Sequence, residues 1–198
     1  MIAGILLAAG QSQRMGRPKL VLPWRDGRPI IAHMVDLFKQ SQVDPIIVVT
    51  GADREQIEAC LVDLPAILAH NRDHASQGMI ASVRVGLYAL QESTCEAALV
   101  MPADLPSLQP RTLQALIEAY QQNEFPIVAP SFERRRGHPV LLSRFEWNAI
   151  MELPEDHSLR DFLNSRTDAI GHVVVDDPGI LHDLDTPEDY ERARADES

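Results

Sequence analysis

The sequence has few cysteines, no long hydrophobic run and a deficit of basic residues, and each shortage removes a class of protein. Cys60 and Cys95, the two cysteines in 198 residues, have neither the number nor the spacing of a disulfide framework or a zinc site. They read as small buried hydrophobes rather than nucleophiles, and the chain suits a reduced, cytoplasmic compartment. No apolar run approaches the roughly 20 residues that span a bilayer, so no membrane partner is expected. The apolar opening, Met1 to Gly10, lacks the basic leading segment of a secretion signal and runs into a glycine-bearing loop instead of a cleavage site. It reads as a first strand. Eighteen Lys and Arg against 29 Asp and Glu give a formal net charge of -11. That excludes general nucleic-acid binding, because a phosphate backbone demands a basic surface.

What is present is a globular composition, 45% hydrophobic and 24% charged, sized for one domain over residues 1–198. Short β-branched runs alternate with helical periods. Strands are expected at Ile2–Leu7, Ile46–Thr50, Ala66–Ala69, Ala97–Met101, Ile127–Ala129, His138–Leu142 and His172–Val175. Helices are expected at Ile30–Gln40, from Asp53 to Leu61, Met79–Leu90, Gln109–Gln122, Ser158–Asn164 and from Thr186 to about Ala195. Asp53 with Gln56, and Thr186 with Asp189, have the spacing of capping boxes, and Pro110 and Pro187 suit first-turn positions. The alternation implies right-handed crossovers. The expected fold is α/β, a Rossmann-like α/β/α three-layer arrangement with a mostly parallel sheet of about seven strands.

In such sheets ligands bind beyond the carboxyl ends of the strands, which directs attention to residues 8–19, 50–53, 70–82 and 102–106. The loop from Leu7 to Lys19 carries the strongest signal. Ala8, Ala9 and Gly10 are small enough for backbone amides to approach an anion as a nest. Arg14 and Lys19 add a forked donor and a mobile point charge. Between Gln11 and Arg28 five cations (Arg14, Arg17, Lys19, Arg25, Arg28) face one acid, Asp26. The spacing fits neither a P-loop nor a dinucleotide fingerprint, and phosphate binding or an ordinary loop both remain open at this point.

Asp104, between Pro102 and Pro106, reads either as a fixed ligand for a divalent cation or as a loop residue. Thr186, Glu188 and Asp189 have a structural explanation in the last helix cap, which leaves Asp185 free. Gly78 permits close backbone approach and Ser82 offers a hydroxyl. His138, before a proline, reads as structural or as an anion contact. His157, His172 and His182 show no ligand spacing and read as surface residues.

The segment Leu7-Ala-Ala-Gly-Gln-Ser-Gln-Arg-Met-Gly-Arg-Pro-Lys-Leu20 resembles the signature of the sugar-phosphate and cofactor nucleotidyltransferases. Within them it most resembles the molybdenum cofactor cytidylyltransferases and their close relatives. Pro102-Ala-Asp-Leu-Pro106, Asn71 with Gly78-Met79 and Ser82, Gly137-His-Pro-Val140 and Asp183-Leu-Asp-Thr-Pro-Glu-Asp189 extend the likeness along nearly the whole chain. His74 departs from the aromatic residue common near that point. The resemblance implies transfer of CMP from CTP to molybdenum-bearing molybdopterin, with Ala9 tilting the base toward a pyrimidine; a guanylyl transferase or a non-catalytic cofactor-insertion chaperone are the alternatives. It implies catalytic roles for Arg14, Lys19 and Asp104. Nucleotide contacts fall to Leu7, Ala8, Ala9, Gly10, Arg14, Lys19, Gly51, Asn71, Gly78, Met79, Ser82, Pro102 and Ala103, and acceptor contacts to Gly137 and His138. Asp104 and Asp185, with Asp183 as the lesser choice, are implied ligands of Mg²⁺ or Mn²⁺. A transient contact with a molybdoenzyme or its chaperone is also expected. A Rossmann oxidoreductase is excluded by the glycine spacing and by Thr50-Gly51, where an acid would end the second strand.

Overall fold

A computed structural model describes residues 1–74, 78–122 and 125–195. Strands β1 (Ile2–Ala8), β2 (Ile46–Thr50), β3 (Ile67–His70) and β4 (Ala97–Pro102) form the parallel half of the sheet, in the order β3-β2-β1-β4. The antiparallel strand β7 (Val140–Ser143) follows β4, then β5 (Ile127–Phe132), which pairs with the two-residue β6 (Arg135–Arg136) and, in parallel, with β8 (Ile170–Val174). Among the described residues the sheet therefore has eight strands, close to the about seven expected. The extra strand, β6, is the return of a tight hairpin whose central residues, Glu133 and Arg134, both take positive φ. No Gly or Asn marks that turn, so its sequence gives no hairpin signal.

Period-two alternation builds the two layers of core. On one face Leu6, Val48, Leu99, Met101 and Leu141 pack under α1 (Ile30–Gln40), α2 (Arg54–Ala59), α4 (Pro110–Gln122) and α7 (Pro187–Ala195). On the other, Ile5, Leu7, Ile47, Val49, Val100 and Leu142 pack under α3 (Gly78–Ala89), α5 (Arg144–Met151) and α6 (Leu159–Ser165). Strands buried on both faces need continuous apolar runs, and β1, β2 and most of β4 supply them. None of the described helices is long and apolar enough to cross a membrane.

The local chemistry matches the sequence at α4, which starts at Pro110, and at α7. There Thr186 Oγ1 accepts from Asp189 N at 3.2 Å while Thr186 N donates to the Asp189 carboxylate at 3.0 Å. It differs at α2: Asp53 makes no side-chain cap, the box with Gln56 does not form, and the helix ends at Ala59 rather than Leu61. Helix α5 was not expected. Its start is marked by Ser143, which accepts from Phe145 N at 3.4 Å, and Ser143-x-x-Glu146 is the signal that reveals it. With Trp147 and Ile150 buried in the apolar core and Ala149 half-buried against it, its hydrophobic period is too short to stand out.

The chain passes from β1 outward to β2 and β3, then crosses back to β4. This reversal between β1 and β4 opens a crevice at their carboxyl ends.

Candidate active site

The β1–β4 crevice is a cleft of about 410 Å³. Its floor is set by register: Leu7 pairs with Pro102, and Ala103 N donates to Leu7 O at 3.1 Å. The loop after β1 turns through Ser12 and Gly16, both with positive φ, around a short 3₁₀ turn over Gln13–Met15. Ser12 Oγ accepts from Lys19 N at 3.2 Å and so closes the loop on itself.

Lys19 reaches across to the β4 loop. Its Nζ donates to Asp104 Oδ2 at 2.5 Å and to Leu184 O at 2.9 Å, with Asp185 Oδ1 at 3.7 Å. Arg14 meets Asp185 from the solvent side at 2.7 Å. Asp185 is delivered by backbone geometry, since Leu184 N donates to Asp104 O at 3.0 Å, and its neighbour Thr186 caps α7. The basic island of the sequence is thus split by the fold. Arg14 and Lys19 face the cleft, whereas Arg28 pairs with Asp36, and Arg25 stacks on Trp24 and donates to the Ala193 carbonyl.

Of the residues expected in the site, Leu7, Ala9, Gly10, Arg14, Lys19, Gly78, Met79, Ser82, Pro102, Asp104 and Asp185 line this one cleft. Six do not. Ala8 and Ala103 are buried, with Ala8 turned into the α1 side of the core and Ala103 bonded to Leu7. Gly51 supports the loop instead: a Cβ there would lie 2.7 Å from Ala9 Cβ and O, so the bare backbone lets Ala9 sit down. Asn71 is buried and acts through Ser82, donating from Nδ2 to Ser82 Oγ at 2.9 Å. This leaves the Ser82 hydroxyl hydrogen free to donate. Gly137 packs on Ile180, whose oxygen would be 2.4 Å from a Cβ. His138 stands behind the cleft, with its N–H on Ile180 O at 3.0 Å. Of the base-facing stretch, Ala75, Ser76 and Gln77 lie outside the described residues.

The cleft also takes in Gln11, Ser12, Gln13 and Leu20, to which the sequence assigned no contact, and His74. His74 Nδ1 bonds Asn71 O at 3.1 Å, so the histidine that departs from the family pattern still lines the cleft. Of the two cysteines expected to be buried, Cys95 is buried and Cys60 only half-buried, though desolvation still raises the Cys60 pKa and so disfavours its thiolate, and His157, His172 and His182 are exposed as expected.

The electrostatics converge on Asp104. The Asp183 carboxyl is pushed up first by desolvation, then by the charges of Asp185 and Asp104. Burial pushes the His138 imidazole down, opposed by Asp104 and reinforced by Arg136 and Arg160. Among the described residues nothing hydrogen-bonds the buried Asp104 Oδ1, which is costly unless something else is meant to meet it. Hard carboxylate oxygens at Asp104 and Asp185 fit a divalent cation of the magnesium or manganese kind. Among the described residues no three His, Cys, Asp or Glu side chains form a metal-holding group by themselves.

A cationic loop after the first strand, facing Asp104 at the end of the adjacent parallel strand and Asp185 before α7, is an arrangement suited to moving phosphate groups. The model of the MobA-like NTP transferase domain matches residues 4–170, and the chain belongs to that family of nucleotidyltransferases. It is 27% identical to the molybdenum cofactor cytidylyltransferase of Escherichia coli K12 over 194 residues, covering 96% of this chain and 94% of that one. It is 37% identical to the bifunctional protein GlmU of Legionella pneumophila strain Lens over 121 residues, 60% of this chain. The match spans only 25% of that larger protein. Among solved structures, Rv0371c of Mycobacterium tuberculosis H37Rv superposes with a TM-score of 0.82 at 26% identity, over 98% of this chain and 96% of that one. Its manganese complex superposes with a TM-score of 0.78.

Proposed function

We propose that this protein is a cytoplasmic enzyme that transfers CMP from CTP to a phosphorylated acceptor of the molybdopterin class, releasing pyrophosphate and forming molybdopterin cytosine dinucleotide. The observation that supports it best is the meeting of Arg14, Lys19, Asp104 and Asp185 in one cleft. A binding module needs the cations but has no use for two half-buried carboxylates beside them, so the set favours catalysis over a non-catalytic chaperone.

In this reading a terminal phosphate oxygen of the acceptor forms a bond to the α-phosphorus of CTP as the bond from that phosphorus to the bridging β-phosphate oxygen breaks. Arg14 and Lys19, now paired with carboxylates, turn to phosphate oxygens and offset the charge that gathers on pyrophosphate. The backbone at Ala9 and Gly10 lies against the triphosphate, and Gly78, Met79 and Ser82 frame the base, with Asn71 fixing the Ser82 rotamer. Asp104 and Asp185 would hold Mg²⁺ or Mn²⁺, which screens phosphate charge when bound. Holding both reactants in line supplies most of the acceleration.

Thermal unfolding with CTP, GTP, UTP and ATP, each with Mg²⁺, tests the base, since a ligand of the native state raises its melting temperature. Pyrophosphate release with molybdopterin, and the mass of the dinucleotide formed, tests the reaction. The largest shift with GTP and a guanine dinucleotide product would replace CMP transfer by GMP transfer. No product with any nucleotide would overturn the proposal.

A further inference from the structure

Asp104 follows β4 and Asp185 precedes α7, so neighbours in the chain do not fix the distance between their carboxylates. A shared cation needs that distance held to within about 0.5 Å. The fold supplies it by laying two loops side by side, running in opposite directions. Residues 104–109 lead from β4 into α4, and residues 177–184 lead toward Asp185. The loops meet at three points. At the cleft end Leu184 N donates to Asp104 O at 3.0 Å. In the middle Gly179 lies on Ser107, where a Cβ would stand 2.6 Å from Ser107 O and 2.8 Å from Leu108 N. At the far end Asp177 Oδ2 accepts from Gln109 N at 3.0 Å and from Thr112 Oγ1 at 2.5 Å.

Asp177 serves both loops with one carboxylate. While Oδ2 holds the first turn of α4, Oδ1 accepts from Gly179 N at 2.9 Å and opens the 3₁₀ turn Pro178–Ile180. Bonds to a carboxylate are short and about twice as strong as neutral ones, and the N-terminal dipole of α4 favours an acid there. At the same end Arg111 Nη2 donates to Asp176 O at 2.8 Å. A cap for α4 alone could come from residue 109 itself, as Thr186 caps α7. Supplying it from the opposite loop turns the cap into a tie. Sliding one loop along the other then breaks bonds at Asp177 and shifts Asp185 against Asp104. Lys19 also spans the cleft end, through Asp104 Oδ2 and Leu184 O. When its ammonium turns to phosphate, that bridge is released and the paired loops carry the spacing.

We infer that Asp177 is a positioning residue: it sets the spacing of Asp104 and Asp185, and through it the grip on a divalent cation, without touching cation or substrate. The inference rests on the reading of those two carboxylates as cation ligands. It adds a buried group, remote from the cleft, on which their alignment depends. Partners that orient metal ligands from behind typically govern affinity by about 10–100-fold.

Three variants disturb the tie in different ways. Asp177→Asn keeps the shape but turns an amide N–H₂ toward Gln109 N–H. Thr112→Val deletes one of the bonds to Asp177 and is the gentlest change. Gly179→Ala leaves Asp177 intact and pushes the loops apart at Ser107. Two readouts need no turnover. Mn²⁺ binding with saturating CTP and no acceptor, followed by electron paramagnetic resonance and corrected for Mn²⁺ held by free CTP, should weaken about tenfold or more in Asp177→Asn and Gly179→Ala. CTP affinity without metal should stay put. Hydrogen exchange of the Leu184 N–H, at the opposite end of the loops, should quicken about tenfold in the same two variants and less in Thr112→Val. Ser158→Ala is the control: it removes the cap of α6, away from the cleft, and so lowers the melting temperature while Mn²⁺ affinity keeps its wild-type value. Wild-type Mn²⁺ affinity in all three variants, or unchanged Leu184 exchange in all three, would overturn the inference and leave the transfer reaction standing. If the wild-type protein holds no Mn²⁺ with CTP present, the ligand reading falls instead. Leu184 exchange then decides alone whether Asp177 spaces the two loops.

Discussion

Replacing Lys19 with methionine removes one charge from the point where the two halves of the cleft meet, and the structure separates two consequences of that loss. The Lys19 and Asp104 side chains are only 14% and 16% exposed, and their contact is 2.5 Å. Removing one partner of a buried pair costs about 3–5 kcal/mol because the other is left uncompensated. Here the residual exposure and the nearby Arg14 reduce that to about 2 kcal/mol. For a chain of this size that is a melting temperature lower by about 4–8 °C. Turnover should fall far more, by about 10²–10³-fold, the range for losing one charge donor at a developing anion. Thermal unfolding and pyrophosphate release read the two effects independently, and Asp104→Asn on the Lys19→Met background completes a cycle. The double variant should recover stability relative to Lys19→Met, since no lone carboxylate remains, yet stay inactive. Near-normal turnover in Lys19→Met would refute the catalytic reasoning. A double variant less stable than Lys19→Met would refute the account of the pair.

Asp177 is 1% exposed and accepts from Gln109 N, Thr112 Oγ1 and Gly179 N at 3.0, 2.5 and 2.9 Å. Asp177→Ala should therefore cost about 3–5 kcal/mol in denaturant unfolding by stranding three donors, and a loss under 1 kcal/mol would show the latch to be idle. Gly137→Ala puts a Cβ 2.4 Å from Ile180 O; strain of about 2–3 kcal/mol is expected, read as an earlier unfolding midpoint. Burial lowers the His33 pKa, with the Pro106 carbonyl, Asp26 and Asp36 opposing and Arg25 assisting. Because the folded state keeps this imidazole neutral, its contribution is complete above about pH 6.5 and declines as pH falls through that value toward the folded pKa. His33→Asn should flatten part of the stability loss between about pH 7 and pH 5, leaving the share of His138, whose pKa burial also lowers. An unchanged pH profile would remove His33 from that account.

The sequence by itself determined the layers and where along the chain the chemistry resides. Apolar runs such as Ile46–Thr50 can be satisfied only by burial on both faces, and helical periods such as Ile30–Gln40 can face only a core, so alternation dictates a covered sheet. The cap at Thr186 and the start at Pro110 are local geometry, readable from neighbours in the chain. The small residues after β1, with Arg14 and Lys19, marked the loop that lines the cleft.

What only the tertiary structure decided concerns partners remote in sequence. That Gly51 supports Ala9, that Asn71 acts through Ser82, and that Arg25 and Arg28 leave the cationic island all depend on contacts across the sheet and its helices. So does the pairing of Lys19 with Asp104, 85 residues away. Local sequence records the side chain a position carries. Which charge lies opposite it is set by strand order and crossover, and that arrangement follows from packing the whole core.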